Sequence, residues 1–101
     1  MPTIKFAGSF DNDYLGLQQQ DSDIKKIVDQ RVIWFTRNPE DTRLDNHLLK
    51  KPMVGKWAFS ITDDIRIIYK WTNQTTVRFL AIGSHNKVYP RKVIKKRSPK
   101  S

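Results

Sequence analysis

The chain has 101 residues, of which 38% are hydrophobic and 11% are aromatic, and it contains no cysteine. This length predicts one domain with one modest core. The composition excludes wholesale disorder, a disulfide scaffold, a zinc finger and a thiol nucleophile. No apolar run approaches the ~18 residues that span a bilayer, and the first residues lack the pattern of a secretory signal. We therefore expect a cytoplasmic protein that does not enter a membrane.

The formal net charge is +9, and the charges are distributed unevenly along the chain. Residues 1–64 carry nine basic and ten acidic side chains, whereas residues 65–101 carry ten basic side chains and no acidic one. A segment with only positive charge favours a polyanionic partner, of which nucleic acid is the usual one. An anionic membrane surface is the weaker alternative, because no amphipathic helix carries this charge.

The N-terminal residues predict a strand followed by a helix. Residues 3–7 alternate like a short strand, which the Gly8-Ser9 pair ends. Ser9 is the expected N-cap of the first helix, which should continue to about Gln20. Helical spacing of apolar side chains supports this assignment, and the residues that carry it are Phe10, Tyr14 and Leu17.

A second helix is expected after Asp21 or Ser22, either of which can cap it. It should end near Asn38, because a residue that precedes proline disfavours the helical region. Residues 40–55 then read as a linker. The apolar stripe of the helix is Ile24, Ile27 and Val28, then Arg31 or Val32, then Phe35.

From residue 57 the hydrophobic period changes to two, which predicts three strands at residues 57–61, 65–71 and 76–83. Short turns separate them, so the strands should pair as antiparallel hairpins. The predicted order is therefore β-α-α-β-β-β. This order indicates an α+β fold in which two N-terminal helices pack on one face of an antiparallel sheet. The other face is expected to carry Ser60, Arg66 and Lys70.

The chain divides into a domain and a tail. Residues 1–90 are expected to form the domain, and residues 91–101 a basic tail. The tail holds six basic and no acidic side chains, so self-repulsion predicts disorder at its end.

Proton-transfer chemistry has few candidate residues in this sequence. The two histidines, His47 and His85, both read as loop residues. Histidine exchanges protons near neutral pH, although in a loop it is otherwise an ordinary surface or capping residue. The sequence has no phosphate-binding glycine loop, no G-x-S-x-G and no H-E-x-x-H, and two distant histidines do not predict a metal site.

Charged and aromatic residues near the predicted strands have two interpretations each. Asp64 and Arg66 are two residues apart on a predicted strand, so they should share a face. They form either a cross-strand ion pair or a carboxylate and a phosphate-binding guanidinium beside a nucleic-acid groove. Tyr89 either stacks on a base or donates a proton, or it is an aromatic residue of the core or its rim.

Several segments occur together in one order: His47-Leu48-Leu49, Gly55 to Ile61, D-x-R-I-I-Y-K at residues 64–70, and I-G-S-H-N-K-V-Y at residues 82–89. Over residues 3–90 this pattern resembles the RelE/ParE toxin superfamily of bacterial type II toxin–antitoxin modules. The YafQ-like and YoeB-like mRNA interferases are the most similar subgroups. The resemblance implies the same β-α-α-β-β-β order in a compact, microbial-ribonuclease-like sheet.

The resemblance also implies a reaction, namely metal-independent cleavage of mRNA in the ribosomal A site, without a cofactor. The RNA 2′-hydroxyl attacks its own phosphodiester, which requires a base, an acid and a cation. By correspondence His85 is the general acid, and His47 or Asp64 activates the 2′-hydroxyl. Arg66 holds the phosphate, and Tyr89 stacks on a base or assists proton transfer.

The partners that the resemblance implies are mRNA, the ribosome with its rRNA, and an antitoxin protein encoded nearby. No membrane or small-molecule partner is expected. The side chains expected to contact RNA are basic, and they are Lys50, Lys51, Lys56, Arg66, Lys70, Lys87 and Arg91.

Ser60 departs from the pattern of the resemblance. It stands where YafQ-like members carry a histidine and YoeB-like members a basic residue, and serine is not a base at neutral pH without help. The choice of base between His47 and Asp64 therefore stays open. Two other functions remain alternatives: a ParE-like protein that poisons DNA gyrase, and a non-catalytic module that binds RNA or the ribosome.

Overall fold

The computed structural model describes residues 1–88, apart from the side chain of Asn86. Tyr89, Arg91 and the predicted basic tail lie outside the described residues. In chain order the elements are β1 (Thr3–Phe6), α1 (Gly8–Gln20), α2 (Ile24–Arg37), a 3₁₀ helix (Thr42–Leu44), β2 (His47–Leu48), β3 (Trp57–Ser60), β4 (Ile65–Trp71), β5 (Thr76–Ser84) and α3 (His85–Val88).

The strands form one sheet in the order β1-β5-β4-β3-β2. The pairs β3–β4 and β4–β5 are antiparallel, which confirms the predicted hairpins. The predicted α+β fold class is also confirmed. One pair departs from the antiparallel pattern, because β1 lies parallel to β5. These two strands are far apart in the chain, so no hairpin turn sets their relative direction.

The core lies between the two long helices and one face of the sheet. Phe35 of α2 is fully buried at its centre. Its ring stacks on Phe59 at 4.8 Å and meets Tyr69 and Phe79 edge-on at 4.9 and 5.8 Å. Strand residues alternate between faces, so Ser60, Arg66 and Lys70 lie on the opposite face, as predicted. We call this opposite face, which α1 and α2 do not cover, the outer face.

The predicted cap of the first helix is wrong. α1 begins at Gly8, with Ala7 as its N-cap residue, so Ser9 is already helical. The Ser9 hydroxyl instead donates a hydrogen bond to the carbonyl of Leu80 at 2.8 Å. This bond ties the start of α1 to β5, so the hydroxyl donates to a distant carbonyl and does not accept from a backbone N–H of its own helix.

The predicted start of the second helix is also displaced. α2 follows Asp23, and neither Asp21 nor Ser22 is its N-cap residue. The Asp21 carboxylate accepts a hydrogen bond from the backbone N–H of Asp23 at 3.0 Å, which forms a turn before the helix. The end is confirmed, since Arg37 is the last helical residue.

The predicted linker, residues 40–55, contains two short elements that the sequence did not indicate. One is the 3₁₀ helix, and the other is β2, which pairs His47 with Ala58 and Leu48 with Trp57. The assignment of His47 to a loop is therefore wrong. A strand of two residues is too short to show a hydrophobic period, so its formation depends on β3 as a template.

Tyr69 makes the stability of the fold sensitive to alkaline pH. Burial raises the pKa of its hydroxyl to about 12, and the hydroxyl donates a hydrogen bond to Asn46 at 2.9 Å. Unfolded tyrosine ionises near pH 10, so this contribution is complete below pH 10 and is lost as the pH rises toward 12. We expect the free energy of unfolding to fall by about 2–3 kcal/mol over that interval.

Urea unfolding at several pH values checks this expectation against Tyr69→Phe, which has no hydroxyl to ionise. The variant should lose about 1 kcal/mol at neutral pH, because the hydrogen bond to Asn46 is gone. Its decline between pH 10 and 12 should be correspondingly smaller. An equal decline in both proteins would contradict the role of Tyr69.

Candidate active site

Arg66 is held on the outer face near the start of β4, the middle strand of the sheet. It pairs with Ser60 of β3 on one side and with Gly83 of β5 on the other. Its Nη1 donates a hydrogen bond to the Ser60 hydroxyl at 2.7 Å, and its Nη2 donates to the carbonyl of Asp63 at 3.4 Å. Two acceptors on neighbouring segments thus orient the guanidinium. A planar, oriented guanidinium is well suited to a phosphate.

His47 lies on the outer edge of the sheet with its ring exposed. It pairs with Ala58, so it faces the same side as Ser60, two residues further along β3. From strand spacing, its Cα lies roughly 12 Å from that of Arg66. Its Nδ1 is 2.9 Å from the carbonyl oxygen of Asp45. A carbonyl only accepts, so Nδ1 carries the proton and Nε2 of the neutral ring is an acceptor.

His85 lies at the other side of Arg66. It is the first residue of α3 and directly follows Ser84, which pairs with Ile65. The expectation of a loop is therefore wrong here too, since β5 continues directly into this short helix. Because β4 lies between β5 and β3 in the sheet, the two histidines flank the arginine from opposite sides.

Asp64 does not lie on the strand that carries Arg66, so the prediction that both are strand residues is wrong. β4 begins at Ile65, and Asp64 belongs to the preceding turn. In this turn the Thr62 hydroxyl accepts hydrogen bonds from the backbone N–H groups of Asp64 and Ile65 at 3.2 and 3.0 Å. Within residues 1–88 no ion pair joins Asp64 to Arg66.

The two side chains line different cavities. Asp64 lines a cavity of about 240 Å³ beside α1, together with Asp13, Ser84 and Lys87. Arg66 lines a separate cavity of about 310 Å³ at the end of β3. Of the two candidate bases, His47 is thus the one that faces the same side of the sheet as Arg66.

Two further arginines line the same cavity as Arg66, and the sequence interpretation missed them as site residues. They are Arg31 of α2 and Arg43 of the 3₁₀ helix. Their Cζ atoms lie 4.3 and 3.7 Å from the ring centroid of Trp34. The carboxyl-bearing residues Asp45 and Asp63 also line this cavity, so its charge is mixed. No sequence signal distinguished the pair, because one arginine lies in an apolar stripe and the other in a linker.

Both added arginines are anchored. Arg31 Nε donates a hydrogen bond to the carbonyl of Ile61 at 3.2 Å. Arg43 donates from Nε and Nη2 to the two carboxylate oxygens of Asp41, at 3.0 and 2.7 Å. These hydrogen bonds lower the pKa of Asp41 to about 2. The pair between Arg43 and Asp41 therefore stays ionised at neutral pH.

The predicted RNA-contacting lysines lie at several places. Lys50 and Lys51 are exposed between β2 and β3, and Lys56 is half-buried just before β3. Lys70 is exposed on the outer face of β4. Their role in RNA binding stays a prediction.

Lys87 lies against the site and explains why a glycine occupies position 83. Its Nζ is 3.6 Å from the Asp13 carboxylate, and its aliphatic stem crosses Gly83. A Cβ added at Gly83 would lie 2.8 Å from Lys87 Cδ. Because Gly83 has no side chain, the aliphatic stem of Lys87 can pack against the backbone at the C-terminal end of β5.

Metal clusters and membrane spans are both absent from the described part of the chain. Residues 1–88 contain no group of three or more histidine, cysteine, aspartate or glutamate side chains that could hold a metal ion. None of the helices in this range is long and apolar enough to cross a bilayer.

The mixed sheet with two helices on one face is the fold of RelE-like toxins. Solved structures confirm this class of fold. A copper-bound mutant toxin from Helicobacter pylori matches with a TM-score of 0.74 at 20% identity, covering 88% of this chain and 100% of its own. The YoeB/ParE toxin from Agrobacterium tumefaciens matches with a TM-score of 0.69 at 20% identity, covering 82% and 98%. The Escherichia coli DinJ–YafQ complex matches with a TM-score of 0.64 at 24% identity, covering 89% and 100%.

The sequence itself defines the family more narrowly. Residues 2–90 match the model of the family described as the bacterial toxin of type II toxin–antitoxin system, YafQ. The chain belongs to this YafQ toxin family. A comparison with curated protein sequences gives no match.

Proposed function

We propose that this toxin is an endoribonuclease that cleaves mRNA on the ribosome and so inhibits translation. The observation that carries the proposal is the placement of two histidines on opposite sides of a fixed arginine on the outer face. The RNA 2′-oxygen forms a bond to its adjacent phosphorus while the bond to the 5′-oxygen breaks. The products are a 2′,3′-cyclic phosphate and a free 5′-hydroxyl.

His47 acts as the general base in this proposal. Its Nδ1 proton is held by the Asp45 carbonyl, so Nε2 is free to accept the proton of the 2′-hydroxyl. A positioned base of this kind accelerates a reaction by about 10²–10⁴-fold. Asp64, the other candidate, lines a different cavity and takes no part.

Arg66 binds the scissile phosphate and stabilises the negative charge that develops on it. The hydrogen bonds to Ser60 and to the Asp63 carbonyl fix the guanidinium before the substrate arrives. A cation that is already oriented needs no reorganisation during the reaction, which makes its stabilisation more effective. Ser60 thus positions Arg66. In this proposal it does not have the proton-transfer role that the resemblance gives to the residue at position 60.

His85 acts as the general acid and protonates the departing 5′-oxygen. Attacking and leaving oxygens lie on opposite sides of the phosphorus in an in-line displacement, so base and acid must also lie on opposite sides. The position of β4 between β5 and β3 supports this assignment of base and acid to opposite sides of Arg66. Tyr89 completes the proposed site by stacking on a base or assisting proton transfer.

RNA and the ribosome are the proposed partners in the cytoplasm. Lys50, Lys51, Lys56, Lys70 and Lys87 contribute positive charge to the protein, and Arg91, outside the described residues, contributes a further one. Such charge binds phosphate backbones without reading the sequence. We therefore expect binding to weaken steeply as salt is added.

A nearby-encoded antitoxin is the proposed protein partner. The Escherichia coli DinJ–YafQ complex and the Staphylococcus aureus YoeB–YefM complex are matching structures that contain two proteins each. The net charge of +9 attracts an acidic segment as well as RNA. An antitoxin that covers the outer face would silence the toxin by excluding RNA.

Inhibition of DNA gyrase is the competing function, because one matching structure is described as a YoeB/ParE toxin. Expression of the protein in a bacterium discriminates between the two. We expect incorporation of labelled methionine to stop while purified gyrase, mixed with the protein, continues to supercoil plasmid DNA. Arrested supercoiling with undisturbed methionine incorporation would contradict the proposal and favour a gyrase poison.

A further inference from the structure

Three cations lie side by side across the outer face, away from the candidate active site. The register pairs Lys5 of β1 with Arg78 of β5, and Arg78 with Lys70 of β4. Residues that pair directly point to the same side of the sheet, and all three are exposed. We call Lys5, Lys70 and Arg78 the cation row. Lys56 directly precedes β3, and continuation of the β3–β4 register by one residue beyond the Trp57–Tyr69 pair sets it beside Lys70.

The charge of the cation row is not compensated. Within residues 1–88 no ion pair or hydrogen bond to an acidic side chain involves any of its three members. None of the ten acidic residues lies on a strand, and five of them lie between residues 11 and 29, in and between the helices that pack on the other face. Like charges that are directly opposite on neighbouring strands destabilise a sheet. Such an arrangement indicates a ligand that supplies negative charge.

The position of the row separates it from the proposed reaction. Lys70 follows Arg66 by four residues on β4, a distance of roughly 13 Å along an extended strand. The residues that face the same side between these two positions are Ala58 and Ile68. Both are apolar and buried, so no charge lies between Arg66 and Lys70. A phosphate at the cation row is therefore a different phosphate from the one at Arg66.

We infer that the cation row is a second binding site for the RNA phosphate backbone, apart from the site of cleavage. Three neighbouring strands place their cations ~5 Å apart, which forms a short linear track for successive phosphates. Side chains of this kind contribute affinity and orientation and leave the base sequence unread. The inference rests on the proposed RNA-directed function and adds a surface to it.

Salt-dependent binding of a single-stranded RNA oligonucleotide with 2′-O-methyl groups tests the cation row. This probe lacks the attacking hydroxyl, so binding is measured without cleavage. Lys70→Gln and Arg78→Gln should each lower the affinity. Each should also lower the slope of log K against log salt by roughly 0.7. The matched control is Arg37→Gln at the exposed end of α2, which removes the same charge and should leave the slope unchanged.

Sedimentation of the same variants with ribosomes distinguishes the source of the phosphates. A reduced slope with the oligonucleotide identifies single-stranded RNA, and loss of ribosome binding alone identifies ribosomal RNA; both support the inference. Equal behaviour of the row variants and Arg37→Gln in both assays would overturn it.

The same variants separate this inference from the proposed reaction. Thermal unfolding should occur at an equal or higher temperature in Lys70→Gln and Arg78→Gln, because a like-charge contact is removed. A clear loss of stability would show a structural role and would also overturn the inference. If the wild type cuts no RNA but the row variants have a lower salt slope, the proposed reaction is contradicted and the cation row is supported. If the wild type cuts RNA and the row variants keep its salt slope, the cation row is contradicted and the proposed reaction is supported.

Discussion

Replacement of His85 by alanine is expected to slow mRNA cleavage by about 10²–10⁴-fold, because the 5′-oxygen then leaves without a proton donor. His85 is exposed at the start of α3, so its removal should leave the core and the sheet intact. The measurement is the single-turnover rate of cleavage of an mRNA on saturating ribosomes. Saturation removes binding from the rate, so the variant reports on the chemical step.

Chemical rescue provides the control for this variant. Added imidazole should restore part of the rate of His85→Ala, since a small donor can enter the space that the ring leaves. It should not restore the rate of an Arg66 variant. A cleavage rate within about twofold of the wild type would show that His85 is not the general acid.

The second large effect is expected for Arg66→Gln, which should reduce the cleavage rate by about 10²–10³-fold. Glutamine cannot compensate the charge on the phosphate, and it leaves the Ser60 hydroxyl without its donor. The cleavage rate of Arg66→Lys should lie between those of the wild type and Arg66→Gln, because lysine keeps the charge but lacks the oriented, planar group. Single-turnover kinetics and ribosome binding, measured side by side, separate lost chemistry from lost affinity.

Arg37→Gln is again the matched control for the arginine series, since Arg37 lies in the last turn of α2. It should cleave at the wild-type rate. If it loses as much activity as Arg66→Gln, the effect belongs to net charge and not to a phosphate site. Equal rates for Arg66→Lys and the wild type would show that orientation of the cation is unimportant.

The hydrophobic pattern of the sequence predicted the parts of the fold that depend on local periodicity. The stripe of α2 was identified because Ile24, Val28 and Phe35 recur at helical spacing, and all three are buried. The alternation of β3 and β4 was equally clear. It placed Phe59 in the core and Arg66 on the outer face, because neighbouring residues of a strand point in opposite directions.

Elements that depend on distant partners were not predictable in the same way. β2 has two residues and forms only against β3. The parallel pairing of β1 with β5 joins residues such as Lys5 and Arg78, which no local turn connects. Serine is a residue type that often caps helices, but the Ser9 hydroxyl instead donates a hydrogen bond to the carbonyl of Leu80 in β5. In each case a long-range contact decided between local alternatives.

The candidate site shows the same limit. Both histidines and Arg66 were identified as candidates from residue chemistry and from resemblance, and their roles stay predictions. A spacing of two residues suggested that Asp64 accompanies Arg66, but the Thr62 hydroxyl holds Asp64 in a turn. Asp64 lies one residue before β4, and its side chain lines a different cavity from that of Arg66.

Residues that gather from separate elements left no signal in the sequence. Arg31 lies in α2 and Arg43 in the 3₁₀ helix, and in the folded protein both lie against the ring of Trp34. The cation row is likewise visible only once the register of three strands is known. Single charges along a chain indicate a basic surface, but their alignment requires the tertiary structure.

Primer extension on a defined mRNA in a bacterial translation extract tests ribosome-dependent cleavage most directly. The wild type and His85→Ala are each compared with ribosomes present and with ribosomes removed. We expect new 5′ ends for the wild type with ribosomes and for no other combination. Wild-type protein that is folded and bound to ribosomes, yet produces no new 5′ ends, would contradict the proposed reaction. New ends without ribosomes would contradict its dependence on them.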